Sequence, residues 1–134
     1  MTDEERLELT RRSYAAWSAA DVEGTVALFD PECEWRLGDV GAALGADVYR
    51  GHDGLRQFMH DLLTFFEGMH GEIDQARAAG ERILVRSWVA GRSGAFGDVG
   101  QRQAQVLEFR DGRILRITQT EDPPPGWEEA RPLT

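Results

Sequence analysis

Apolar residues recur at helical spacing in the first half of the chain and at strand spacing in the second, and the change falls near Gly68. Leu7, Thr10, Tyr14 and Trp17 stand three and four positions apart, which puts them on one inner face of a helix predicted over residues 3–20. Thr2 and Glu5 have the spacing of a capping box that would start it. Asp21 can cap a second, shorter helix whose Val22, Val26 and Phe29 point inward. Asp30-Pro31 is expected to end that helix, because a proline disfavours helical geometry in the residue before it. Cys33, Trp35 and Leu37 then alternate with charged Glu34 and Arg36, the pattern of a short half-buried strand. Residues 38–50 are rich in Gly and Ala without any period, which suits a mobile connection placed to serve as a lid. A third helix is predicted from His52 or Asp53, with Leu55, Phe58, Met59, Leu62, Leu63 and Phe66 as a broad apolar stripe.

Beyond Gly68, strands are predicted over residues 72–78, 82–90, 101–110 and 113–121, separated by glycine-containing turns. Helices first and sheet second describe an α+β domain with helices on one face of a mostly antiparallel sheet, since parallel strands need crossover helices between them. Pro123-Pro124-Pro125-Gly126 stops the last strand, and the tail is expected to be extended or loosely docked, with Trp127 on the body, on a partner subunit or exposed. With no repeat or linker, residues 1–134 read as one domain with its core over about 7–121.

The best-defined register is the hairpin around Asp111-Gly112, a turn pair that tolerates positive φ at both positions. Counting back from a two-residue loop sets Phe109 opposite Ile114, Glu108 opposite Leu115, Val106 opposite Ile117 and Ala104 opposite Gln119. One face then carries Ala104, Val106, Leu115, Ile117 and Gln119 as the core side, and a one-residue slip would exchange faces. A glutamine there is either satisfied by backbone or water, or displayed to a ligand. The other face carries Gln103, Gln105, Arg116, Thr118 and Thr120, polar but mostly uncharged, and is expected to meet a copy of itself in a homodimer.

Composition narrows the classes. The chain has 134 residues, 41% hydrophobic and 29% charged, and a net charge of −9. The acidic balance argues against nucleic acid and anionic membranes as partners, because such binding relies on clustered Lys and Arg. No apolar run is long enough to span a bilayer, and the acidic start lacks the pattern of a secretory leader, so a cytoplasmic location is expected. The single cysteine, Cys33, excludes an intrachain disulfide and reads as a buried inert thiol, with a nucleophile as the alternative. His52, His60 and His70 do not pair at four-residue helical spacing, so no metal site is expected. His52 suits a helix start, His60 a helix flank or pocket wall, and His70 a loop. Trp17, Trp35 and Trp88 are candidates either to stack on a flat ligand or to fill the core. Without a phosphate loop, nucleophile elbow or cofactor fingerprint, any catalysis is expected to be cofactor-free.

Several local patterns, in order, resemble the SnoaL-like branch of the nuclear transport factor two-like superfamily. They are the aromatic first helix followed by Ala20-Asp21-Val22, Leu28-Phe29-Asp30-Pro31-Glu32 leading into Glu34-Trp35, and Tyr49-Arg50-Gly51-His52-Asp53-Gly54-Leu55 with Phe58. Gly80 before a central strand and Phe109-Arg110-Asp111-Gly112-Arg113-Ile114 before the last complete the likeness, which covers about residues 7–121. The resemblance implies a cone-shaped α+β barrel in which about three N-terminal helices pack in a strongly curved sheet, with a pocket at the open end. The branch includes polyketide cyclases, ketosteroid isomerases and limonene epoxide hydrolases. Cyclases of this type carry an acid-base aspartate on the last strand, where this chain has Gln119. The isomerases carry theirs just after the first strand, where Trp35-Arg36-Leu37-Gly38 holds no acid before Asp39. Tyr14 matches the isomerases' first-helix tyrosine, a donor to a developing oxyanion. Arg86 with Glu34 or Asp39 matches fragments of the hydrolases' Asp-Arg-Asp set.

Two functions follow as expectations: a cofactor-free cyclase, isomerase or hydrolase acting on a small apolar, polyketide- or steroid-like molecule, or a non-catalytic binding protein using the same cavity. An interaction module is a third reading. The catalytic candidates are Tyr14, Glu34, Asp39 and Gln119. Tyr14, Trp17, Trp35, Phe58, Leu62, Trp88, Ala104, Val106, Ile117 and Gln119 are expected to line the pocket.

Overall fold

The computed structural model describes residues 1–38 and 45–133. Its first helix, α1, spans Asp3–Ser18 and opens on the capping box: the Thr2 hydroxyl accepts the Glu5 N–H at 3.1 Å, and the Glu5 carboxylate accepts the Thr2 N–H at 2.8 Å. Asp21 caps the short helix α2, Val22–Val26, by accepting the Gly24 N–H at 2.9 Å. The next strand, β1, spans Phe29–Arg36 and so starts earlier than the alternation at Cys33 implies. Phe29 is therefore a strand residue, not part of the second helix. Pro31 is accommodated because the pairing with the last hairpin strand shifts between Phe29 and Glu34, leaving the ring outside the ladder.

Within the predicted connection 38–50, residues 39–44 lie outside the described residues, and the lid expectation and Asp39 lie there with them. Its last three residues form a strand, β2, Val48–Arg50, antiparallel to β1. The long helix α3, Gly51–Phe65, follows directly and buries Leu55, Phe58, Met59 and Leu62. Leu63, expected in that stripe, is 45% exposed, and Phe66 begins the next strand. Two strands thus precede α3, so the order is not strictly helices first.

The remaining strands are β3 (Phe66–Ala79), β4 (Arg82–Ser93), β5 (Gly97–Arg110), β6 (Arg113–Thr120) and β7 (Arg131–Leu133). His70, expected in a loop, belongs to β3. The seven strands form one open mixed sheet in the order β2-β1-β6-β5-β4-β3-β7, antiparallel except for the parallel pair β1 and β6. Helix α1 lies against β3 and β4, and α3 against β1, so the helices share one face of the sheet. Between them lies the main core, where Phe29, Leu37, Leu55, Ile83, Leu107, Ile114 and Ile117 are almost wholly buried.

The β5–β6 hairpin forms with the expected turn, both Asp111 (φ 52°) and Gly112 (φ 77°) having positive φ. Its register departs from a regular hairpin because β6 carries one extra residue: Phe109 pairs with Ile114, but Glu108 pairs with Arg116. Leu115 is the inserted residue, a β-bulge that keeps both Ile114 and Ile117 in the core. Gln105 pairs with Gln119, and Val106 pairs with Thr118. Ile117 and Gln119 stay inside as expected. On β5 the faces are exchanged, so Gln103 and Gln105 turn inward while Ala104 and Val106 face outward. The sheet-face homodimer expected from Gln103, Gln105, Arg116, Thr118 and Thr120 thereby loses its two glutamines.

The tail corrects another expectation. Instead of docking loosely, it straps the outer sheet face: Trp127 is 4% exposed and packs with Leu84, Val106 and Ala130 in a second, smaller core. The Arg77 guanidinium lies 4.4 Å from the Trp127 ring centre and donates to its carbonyl at 2.7 Å. The chain then adds β7 to the β3 edge, covering an otherwise open row of backbone groups.

Candidate functional site

A cavity of about 360 Å³ lies between the helices and the inner face of the sheet. One wall is aromatic and has a local cause in the sequence. Alternation on β1 points Phe29, Trp35 and then Leu37 inward, and the i, i+4 spacing on α3 brings Phe58 and Leu62 to meet them. Phe29 and Trp35 stack at 5.9 Å between ring centres, Trp35 meets Phe58 at 4.7 Å, and Phe58 meets Tyr49 at 5.0 Å. Tyr49 ends the row by donating its hydroxyl proton to Asp61 at 2.7 Å.

The opposite wall is built of amides. The period of β5 places Gln101, Gln103 and Gln105 on the cavity face, and Gln119 of β6 joins them. Gln119 donates its amide N–H to Gln103 Oε1 at 2.7 Å. Tyr14, projecting from α1 beside Trp17, donates its hydroxyl to Gln105 Oε1 at 2.6 Å and lies 3.1 Å from Ser87 Oγ. A phenol has a single proton, so with that proton on Gln105 the Ser87 hydroxyl supplies the second contact. Burial raises the Tyr14 pKa above its ordinary 10.0, against a smaller lowering by Ser87, which keeps the phenol neutral. Gly71 leaves room for this arrangement: a Cβ there would come within 3.2 Å of the Tyr14 ring.

Seven of the ten expected lining residues are on the wall: Tyr14, Trp17, Trp35, Phe58, Leu62, Ile117 and Gln119. Trp88 is not, being 42% exposed on the outer face, paired with Arg102 across β4 and β5. Ala104 and Val106 are also on the outer face, for the reason given by the bulge at Leu115. Their apolar character answers to the strap and not to the cavity. Glu34 points away from the cavity, between Arg36 (3.2 Å) and Arg116 (3.5 Å). Burial raises its pKa, but those two guanidinium groups more than offset that and hold the carboxyl below its ordinary range. Arg86, the candidate hydrolase arginine, pairs with Asp122 at 2.7 Å, also outside the cavity. Cys33 is a core residue whose thiol is pushed up to about 11 by burial, as an inert thiol should be.

Gln101, Gln103 and Gln105 are wall residues too, although none was expected there from the sequence. Their signal was a strict two-residue repeat of one uncharged amide along a strand, which has the period of a wall as much as that of an interface. Among the described lining residues none is Asp, Glu, His, Lys or Arg. The described wall is therefore a set of rings, apolar side chains and neutral hydrogen-bonding groups, suited to orienting an uncharged molecule. Among the described residues no helix is long and apolar enough to cross a membrane.

Helices covering one face of an open mixed sheet, with a cavity between, define a small α+β protein of nuclear transport factor two-like architecture. The family model for the SnoaL-like domain matches residues 10–117, and the chain belongs to that family. The uncharacterized protein Rv0034 of Mycobacterium tuberculosis is 30% identical over 122 residues, which cover 89% of this chain and 90% of that one. Among solved structures, an NTF2-like protein of unknown function from Burkholderia pseudomallei is 24% identical with a TM-score of 0.79, covering 91% of this chain and 92% of its own. TerC, co-crystallized with polyporic acid, is 23% identical with a TM-score of 0.79, over 88% of this chain and 92% of its own. A protein with a ketosteroid isomerase-like fold from Catenulispora acidiphila, in complex with trimethylamine, is 18% identical with a TM-score of 0.74, over 84% of each chain. At these identities the structural likenesses establish the fold alone.

Proposed function

We propose that this protein binds a small, uncharged, flat and largely apolar molecule in the cavity. The supporting observation is the division of the wall into an aromatic side (Phe29, Trp35, Phe58) and an amide side (Gln101, Gln103, Gln105, Gln119) around about 360 Å³. That volume is near the low end for pockets that take drug-sized molecules. Rings stack on the first side, and edge oxygens find donors and acceptors on the second. A neutral wall favours a neutral guest, because a buried charge without a partner is costly. The co-crystal of TerC with polyporic acid supports the idea that this architecture admits an organic guest.

The test is a thermal-unfolding panel of neutral polycyclic aromatics, steroids and epoxides beside carboxylated and amine-bearing analogues. A ligand at 100 times its Kd is expected to add about 2.7 kcal/mol of stability. Stabilization by the neutral members alone is the expected result. Equal stabilization by the charged analogues, or none by any member, would remove the reading.

A second reading, cofactor-free cyclase or isomerase chemistry, is supported by one observation: Tyr14 lines the cavity and carries a phenol proton, which can be donated to a carbonyl oxygen that gains charge. It requires the Tyr14 proton to leave Gln105 for the ligand. Incubation with a β,γ-unsaturated ketone, followed by the rise in conjugated-enone absorbance, checks it. Turnover that is lost in Tyr14→Phe would favour chemistry over binding.

A further inference from the structure

Two buried polar atoms on the cavity-lining side chains have no hydrogen-bond partner among the described residues: the indole Nε1 of Trp35 and the amide Oε1 of Gln119. One is an obligate donor and the other an acceptor. They belong to neighbouring strands, since Trp35 of β1 is in register with Ile117 of β6, two residues before Gln119. Both side chains line the cavity and the atoms are not bonded to one another; neither atom is open to the empty cavity, so a guest reaches them as the two side chains shift. A buried polar atom without a partner is costly, and two neighbouring amides do have theirs: Gln103 Oε1 accepts from the Gln119 amide, and Gln105 Oε1 accepts from Tyr14. Gln119 is thus held by its NH2 end while its carbonyl end is left over.

We infer that Trp35 and Gln119 form a two-point subsite that reads a hydroxyl group on the ligand, a phenol or alcohol carried at the edge of a ring. The indole N–H donates to the hydroxyl oxygen, and the hydroxyl proton goes to Gln119 Oε1. A hydroxyl is the smallest ligand group that supplies both halves. A carbonyl or ether oxygen satisfies Trp35 alone and leaves Gln119 unpaired. The ring bearing the hydroxyl stacks beside Phe29 and Phe58, which already flank Trp35. This inference rests on the binding reading above and sharpens it into a preference for hydroxylated aromatics.

The test uses the full chain and calorimetric titration with naphthalene, 2-methoxynaphthalene and 2-naphthol, comparing wild type with Trp35→Phe and Gln119→Met. Wild type is expected to bind 2-naphthol about tenfold more tightly than either of the others, the worth of one or two neutral hydrogen bonds. Each variant is expected to reduce that preference to roughly twofold or less while naphthalene affinity changes little. The methoxy probe is expected to weaken in Trp35→Phe and to be unaffected by Gln119→Met. Thermal unfolding confirms that each variant is folded, and Gln119→Leu replaces Gln119→Met if the latter is not. Naphthalene binding without a hydroxyl preference, or a preference that survives either variant, overturns the subsite and leaves the binding reading in place. If none of the three probes binds, the binding reading falls and the subsite with it.

Discussion

Tyr14 is the residue on which the cavity's internal order depends most. Its hydroxyl joins α1 to two strands through Gln105 and Ser87, which are 3% and 0% exposed. Tyr14→Phe removes one oxygen and strands two buried polar groups, so a loss of about 1–3 kcal/mol is expected from urea unfolding. The same residue contributes to the pH dependence of stability. Burial raises the Cys33 pKa from 9.0 to about 11, and burial with the Asp61 carboxylate raises that of Tyr49 from 10.0 to about 12. Tyr14 is raised above 10.0 as well. In the unfolded chain each group releases its proton earlier, so their contribution to stability is full below about pH 9 and declines as pH rises through the folded values. Unfolding free energy measured from pH 8 upward is expected to fall, with the part between about pH 9 and 11 flattened in Cys33→Ala and the part above pH 10 flattened in Tyr14→Phe.

At the level of elements, the strap and the end of α1 can be tested separately. Trp127 fills a small core on the far side of the sheet from the cavity, so Trp127→Ala is expected to cost about 3–5 kcal/mol by chemical denaturation while ligand affinity is kept. Just after α1, Ala20 has a φ of 55°, a left-handed conformation that glycine adopts without a Cβ penalty. Ala20→Gly is expected to stabilize by about 0.5–1 kcal/mol, read as a rise in the unfolding midpoint. The long periodic elements were legible because burial on one face imposes their spacing: α1, α3, β4 and the turn at Asp111-Gly112 lie where their patterns put them. The strand register was not legible. In β6, Ile114, Leu115 and Ile117 break the two-residue period, and that irregularity is the only local trace of the bulge. In β5, Ala104 and Val106 compete with Leu107 and Phe109 for the core side, and the competition is real because both faces are buried over residues 104–107, one toward the main core and one under the strap. Nothing near residue 104 announces that Trp127 will return to cover it.

For the whole molecule, we propose the outer face of the sheet as the surface for a homodimer, with Arg116, Thr118 and Thr120 outside and the strap over Leu84 and Val106. Light scattering at micromolar concentration is expected to give twice the chain mass, and the mass of a single chain would remove the proposal. The strap also ties the last strand to the first helix, because Arg131 pairs with Asp3. The two ends of the described chain are therefore neighbours, while the β4–β5 turn projects Phe96 into solvent at 83% exposure. A circular permutant that joins the ends by a short linker and opens the chain at that turn preserves every strand pairing except the hairpin connection itself. In such a permutant the strap becomes an internal segment, so its order of folding relative to the sheet is set by the linker and no longer by its place in the chain.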